Sequence, residues 1–306
     1  MDTLIHVLET ALPVFLTLGL GVLCRRTKLL SPEGVKALKS VAVNITLPAV
    51  MFSAFATAEY SASSVGIPVV MFTLCALAMV LGRIACNLLR IPGRLSPFLA
   101  TGFEAGMLGY ALFALLFGAE NNSQFAIVDL GQVLFVFTVY KIAISGASGW
   151  KGALHEALVS PTVWGIAAGL LLGATGAFKA LEPSGVSGIL RSCAGFVAAP
   201  TSAIILLSIG YDLVPGEIRW KRTGKIVLMR VAIMAVCLLL AMLLNKVVLR
   251  GAMHTGALVL MMTLPPPYVL PVFADTGKER ADISSALSVL TLLSLVIFAV
   301  LTAVFH

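Results

Sequence analysis

Glu104 is the residue whose position most needs a chemical reason. It lies inside the apolar run FLATGFEAGMLGYALFALLFG, Phe98 to Gly118, interrupted by Gly102, Gly106 and Gly109. A charge at the centre of a bilayer costs about 2.5–3.5 kcal/mol on insertion scales, so it should face a cavity or a partner. Three chemistries are open to it. It could exchange protons with a cavity, or ligate a hard cation such as sodium beside carbonyls freed by the glycines. It could instead simply accept hydrogen bonds from the amides of a broken helix. Asp129 and Gln132 stand three residues apart and so share a helical face. That pair could line a path, accept from the same amides, or sit hydrated at the membrane surface. Asn44 precedes Pro48 by one turn. It could bond carbonyls released by that proline, reach a substrate, or make an ordinary interhelical bond.

A second interrupted run answers the first. ALVLMMTLPPPYVLPVFADTG, Ala257 to Gly277, carries Pro265, Pro266, Pro267 and Pro271. Interior prolines remove helical hydrogen bonds and clash with the preceding turn, so the helix breaks there. Tyr268 directly follows the break and is a candidate for substrate contact. Broken backbone is tolerated at membrane depth only where it is buried in protein or lines a cavity. Two such breaks, in matching places of two halves, point to a transporter's binding site. The site set is therefore Glu104, Gly106, Asn44, Asp129, Gln132, Pro265 and Tyr268.

The elements that must position these residues follow from composition. The 306 residues are 59% hydrophobic and only 11% charged, against about 25% charged in soluble domains. The chain is read as an all-α membrane protein. Spans of about 20 apolar residues fall near 4–23, 34–56, 64–89, 97–118, 123–145, 160–178, 186–210, 224–248, 255–274 and 281–305. Residues 1–145 form a first five-helix repeat, 146–159 a connector, and 160–306 a second repeat. Five spans per half turn the second repeat upside down relative to the first. The second span of each half carries a mid-helix proline, Pro48 and Pro200, and the fourth span of each half is the broken one. Asp2 and Glu9 stand where a signal peptide would be basic, so the first span is expected to be retained.

Basic residues set the orientation. Of the 21 Lys and Arg residues, only Lys179, Arg191, Lys246 and Arg250 fall on the side of the termini. The rule that basic loops stay inside then puts both termini outside the cell membrane. Topology explains the net charge of +7, and nucleic acid is not an expected partner. Lys141, Arg230 and Arg191 are expected to snorkel to the nearest interface. The five cysteines lack a CxxC pattern and are expected to be packing residues. The four histidines fall at span ends or in the connector, away from metal-ligand spacing with any carboxylate.

At these residues the chain resembles the auxin efflux carrier family, which includes plant PIN carriers and bacterial malonate-type permeases. The opening span with Leu20-Gly21, Arg25-Arg26 and Leu29-Leu30-Ser31 is similar to the family's. Val43-Asn44-Ile45-Thr46-Leu47-Pro48 with Phe52 resembles its N-x-x-L-P-x-x-x-F second span. Leu264-Pro265 with Phe273-Ala274 resembles its ninth span, and Asp282-Ile283-Ser284-Ser285-Ala286 its closing one. The resemblance implies a scaffold and a moving transport domain, with substrate bound beside crossed broken helices. The chain departs from the family's N-x-G-x-x-G-x-P at the fourth span, where Glu104 replaces the amide and Ala111 the proline. An ionised Glu104 would repel an anionic ligand.

The function expected is secondary active transport of a small organic solute, a carboxylate or an amphipathic metabolite. Two relatives of that reading stay open: a sodium-coupled symporter resembling bile-acid carriers, and a cation/proton antiporter. No GxxxxGK[ST] loop is present to use ATP. A membrane-embedded enzyme would need a nucleophile with its base, and Ser, Cys, His and Asp do not assemble that way. No cofactor is expected, and coupling to protons or to sodium stays open. Membrane lipid and a small-molecule substrate are the partners expected, with homodimerisation left open.

Overall fold

Each apolar segment begins and bends where its sequence supplies a reason. Ser31 starts the second segment: its hydroxyl accepts from Gly34 N at 3.0 Å, Pro32 follows it, and Glu33 lies in the first turn. These satisfy an orphan amide and complement the helix dipole. Pro48 has no N–H, and its ring crowds the carbonyl four residues back. The helix answers with a widened π turn over Ala42–Thr46, in which Leu47 N reaches back to Ala42 O. Two more π turns, Ala105–Gly109 and Val136–Tyr140, fall around the candidate site, as such bulges often do.

A computed structural model describes residues 2–58, 60, 66–145, 158–212, 219–268, 270 and 279–305. Among the described residues there are helices and no strand. In chain order the helices are α1 (Asp2–Arg26), α2 (Pro32–Val41), α3 (Leu47–Ala56), α4 (Gly66–Leu88), α5 (Tyr110–Phe117), α6 (Asn122–Phe135) and α7 (Lys141–Ser145). They continue as α8 (Pro161–Ala174), α9 (Ala177–Ala180), α10 (Val186–Ala198), α11 (Thr201–Asp212), α12 (Trp220–Val247), α13 (Thr255–Thr263) and α14 (Arg280–Val304). Among the described residues, seven helical stretches are long and apolar enough to cross a membrane: Pro32–Ala56, Gly66–Leu88, Ser96–Phe117, Ala119–Ile144, Val186–Asp212, Trp220–Val247 and Ala281–Val304. They make the chain a multi-pass membrane protein. The three other expected spans look different. The first is the 25-residue α1. The sixth is the 14-residue α8, and the ninth is α13 up to its break, with 271–278, Pro271 included, outside the described residues. Most of the expected connector also lies outside them.

Packing sorts the helices into two groups, each drawing on both halves of the chain. In one, α3 lies along α8, and α1 lies along α11. Gly165, Gly169 and Gly173 let α8 approach so closely that a Cβ on them would stand 2.5, 2.6 and 2.5 Å from the carbonyls of Pro48, Phe52 and Phe55. Gly21 of α1 and Gly210 of α11 are pressed against the partner's backbone in the same way. Small residues are the usual means of close helix packing where lipid supplies no hydrophobic drive. In the other group, α4 packs on α6 and α12, and α12 packs on α13 and α14. The groups meet where α3 touches α6, α1 touches α14, and α11 touches the π turn at Ala105–Gly109.

One end of the second group is tied by charge. Asp282 pairs with Arg222 and, at 3.5 Å, with Arg219. Glu279 accepts from the amides of Arg94 at 2.9 Å and Leu95 at 3.1 Å, and Lys225 donates to Leu89 O at 3.0 Å. These bonds join the starts of α12 and α14 to the loop that enters the first broken segment.

Candidate functional site

The two broken segments cross at the backbone. The first runs as a short 3-10 turn over Ser96–Ala100, turns extended at Thr101, takes φ +69° at Gly102, and becomes helical again after Glu104. Of the three glycines that interrupt this run, the first marks the break. Thr101–Glu104 carries it, and Gly106 sits inside the π turn that follows. The physical reason is Gly102, whose left-handed backbone disfavours any side chain and whose Cβ would stand 2.7 Å from Pro267 Cγ. The second segment ends its first helix at Leu264, which is extended, and passes through Pro265, Pro266 and Pro267. Glu104 N donates to Pro265 O at 2.9 Å, joining one break to the other.

Broken backbone must find partners for its freed groups, and here two opposite charges serve the two kinds. The Glu104 carboxylate accepts from Met107 N at 3.1 Å and from Tyr268 N at 2.5 Å, one amide from each segment. Of its expected roles, the acceptor of broken-helix amides is the one the hydrogen bonds display directly. The Arg230 guanidinium donates to Leu99 O and Gly102 O at 2.9 Å and to Leu264 O at 2.8 Å. It also lies 5.6 Å from the centre of the Phe103 ring. Negative charge meets amides where helices restart, and positive charge meets carbonyls where they stop, matching the helix dipoles.

Arg230 is the residue sequence reasoning missed. The snorkelling expectation is corrected: its side chain is only 2% exposed. The signal was available. Arg230 lies ten residues past Trp220, about 15 Å along the helix at 1.5 Å per residue, which is mid-bilayer and too deep to snorkel. Lys141 is corrected likewise; it is buried and lines the cavity described next.

A cavity of about 800 Å³ opens beside the crossing, within the 300–1,000 Å³ usual for small-molecule sites. Its floor includes Glu104, Gly106, Asp129, Gln132, Pro267 and Tyr268. Its walls are mostly apolar, with Val43, Leu47 and Met51 from one helix group and Val133, Val136 and Leu287 from the other. Lys39 and Asp212, a part-exposed ion pair, stand at its mouth. Asp129 is fully buried rather than hydrated at an interface, and its Oδ1 accepts from Gln132 Nε2 at 3.1 Å. The same Nε2 donates to Phe103 O at 3.2 Å, which ties α6 to the break. The Tyr268 hydroxyl bonds Thr291 Oγ1 at 2.6 Å.

Five of the expected residues therefore gather here: Glu104, Gly106, Asp129, Gln132 and Tyr268. Pro265 contributes its carbonyl to the crossing. Asn44 stays apart; it faces outward and donates to Ser40 Oγ at 3.1 Å. The Val43 carbonyl, left without a backbone donor ahead of Pro48, accepts instead from Thr162 Oγ1 at 2.8 Å. Four cysteines are buried as packing residues, but Cys193 is exposed. Among the described residues no group of His, Cys, Asp and Glu could hold a metal ion as a cluster.

Apolar helices around a solute-sized cavity that ends on crossed, broken segments define a membrane transport protein. Comparison with known proteins agrees: residues 6–156 match the family model described as "Membrane transport protein". That match, to the first half of the chain, is to the auxin efflux carrier family, the family its motifs resemble. A relative from Methanothermobacter thermautotrophicus, described as an uncharacterized transporter, is 25% identical over 299 residues. The match covers 94% of this chain and 95% of that protein, so the likeness spans both halves.

Proposed function

We propose that the protein is a secondary active transporter that moves a small organic solute, a carboxylate or amphipathic metabolite, by elevator-type alternating access. One observation carries this reading: the cavity lies at the seam between the two helix groups and ends on the crossing. The group holding the crossing is the moving part, and the group of α1–α3, α8, α10 and α11 is the frame. Two features support an inverted pair of repeats, residues 1–145 and 160–306. The packing of α3 on α8 has its counterpart in that of α11 on α1, second span against first in each case. The breaks fall in the fourth and ninth expected spans. The apolar walls suit an amphipathic solute, and Lys141 and Lys39 on the lining suit a carboxylate.

With both termini extracytoplasmic, the mouth at Lys39 and Asp212 faces the cytoplasm. Labelling a cysteine at the C-terminus of intact cells tests the orientation; modification only after permeabilisation would overturn it. The transport reading is tested by flux in proteoliposomes. Organic acids, amines and amino acids are offered under imposed proton and sodium gradients. Gradient-driven accumulation of a solute is the expected result. Turnover of a solute without any gradient would replace the reading with enzymatic chemistry.

A further inference from the structure

Glu104 and Asp129 are both buried carboxylates at the cavity floor, but their oxygens are used differently. Both oxygens of Glu104 are held by backbone amides. Oδ1 of Asp129 has an aligned donor in the Gln132 amide, and the Tyr110 hydroxyl, close by and imperfectly aligned, is the other donor the carboxyl has within reach. Asp129 Oδ2, Gln132 Oε1 and the Tyr110 hydroxyl are buried without an aligned partner. The Tyr110 hydroxyl stands beside the Asp129 carboxyl, and its residue begins α5, immediately after the π turn of the first broken segment. Asp129 and Gln132 are less than a turn apart on α6, and both line the cavity. Buried polar atoms are rarely left unpaired, and each orphan needs an explanation.

The orphans on α6 are two acceptors. Turning the Gln132 amide over would not cure this, because it would set its oxygen against Oδ1 and forfeit the bond to Phe103 O. The Tyr110 hydroxyl carries one proton and can serve one of the two acceptors, which leaves a buried acceptor, and beside it the formal negative charge of Asp129, uncompensated. We propose that Asp129, Gln132 and Tyr110 form the site of a single monovalent cation that couples transport, with Asp129 and not Glu104 carrying the neutralising charge. This rests on the transporter reading and names the ion that drives it. The shared chemistry is one cationic charge between Oδ2 and Oε1. A proton there would make Asp129 donate from Oδ2 while accepting at Oδ1, pairing the acid with the amide at both ends. A sodium ion would be ligated by the same oxygens, the hard donors such an ion prefers. The single formal charge of Asp129 suits a monovalent ion, since Glu104 is already engaged by the two segments it caps. The other titratable groups near Asp129 are Glu104 and Tyr110 at the crossing and Cys75 on α4, with Arg230 of α12 beyond Cys75. Arg230 has its donors committed to three carbonyls.

The test uses purified full-length protein in detergent at constant ionic strength, so that it does not depend on knowing the solute. Thermal unfolding is followed with sodium chloride titrated against choline chloride, at a mildly acidic and a mildly alkaline pH. If sodium is the occupant, its addition raises the unfolding midpoint, because a ligand of the folded state stabilises by mass action. If the proton is the occupant, the midpoint rises as pH falls and sodium has no effect. In either case the response is lost in Asp129→Asn and retained in Glu104→Gln. If Asp129→Asn does not fold, Gln132→Met, which removes one oxygen at similar length, must weaken the same response. A wild type indifferent to both cations overturns the proposal, as does a response that persists in Asp129→Asn or Gln132→Met. Failure here with gradient-driven flux intact leaves the transporter reading standing. A cation response with no solute moved under any gradient sinks the transporter reading instead.

Discussion

Arg230 shows how much a single side chain can organise inside a membrane. Its planar fork reaches three carbonyls on two segments that are far apart in sequence, a geometry that lysine's point charge cannot copy. Removing it leaves three buried acceptors, each costing about 1–3 kcal/mol when unsatisfied. Arg230→Leu is therefore expected to lower the thermal unfolding midpoint sharply and to yield little monodisperse protein. Arg230→Lys should fall between it and the wild type. Size-exclusion profiles with melting curves in detergent read both, and an Arg230→Leu protein as stable as the wild type would remove Arg230 from its clamping role. The residue types at the floor were legible in the sequence, because carboxylates in apolar runs are conspicuous. Partners were not. Nothing in the spacing of Arg230 and Leu264 says that they touch, and an arginine in an apolar helix invites the snorkelling reading unless its depth is measured from the helix start.

Helices in this protein are defined as much by what they lack as by what they bury. The three glycines of α8 sit against carbonyls of α3, so a side chain there must push two helices apart. Gly169→Val is expected to destabilise by about 1–3 kcal/mol, the usual range for overpacking a tight contact. Gly188→Ala on α10, where a Cβ meets nothing within 4 Å, should leave the melting temperature unchanged. Equal melting curves for the two variants would show that the α3–α8 contact is looser than it stands here. Hydropathy revealed where the segments lie, and proline marked the second break. The first break could be placed only among Gly102, Gly106 and Gly109, because three glycines within eight residues look alike in sequence. Only the backbone distinguishes Gly102, with its positive φ and its contact to Pro267. The π turns were equally hidden, since each depends on how one extra residue is absorbed rather than on composition.

If the two helix groups slide past one another, the seam between them must open and close in each cycle. Gly106 belongs to the group with the crossing. A Cβ there would lie 3.4 Å from the Leu47 side chain and 3.8 Å from that of Met51, both of the opposite group. Cysteines introduced at Met51 and Gly106, in a background without the native five, should therefore bridge through a short thiol-reactive linker. Bridging is expected to stop flux, and cleaving the linker to restore it. Transport at full rate by the bridged protein would mean that the two groups need not slide. Apolar length alone pointed to ten spans, of which seven are long and apolar enough to cross among the described residues. The division into two packing groups was not plain from the residues, because each group takes helices from both halves and only contacts assign them.

The three acceptors of Arg230 also fix an order of manufacture. Leu99 and Gly102 leave the ribosome long before Arg230, whereas Leu264 leaves after it. When α12 is made, two of the residues whose carbonyls neutralise its central charge have already been synthesised, and the third comes with the following segment. The charged helix is thus received by the half of the protein made first. The crossing can lock only when α13 has been threaded beside it. A nascent chain cut before Leu264 is expected to offer its arginine two carbonyls at most, and one lacking Leu99 and Gly102 neither of them. Early insertion of the first broken segment is in this sense a chaperone for the second half, encoded in the same chain.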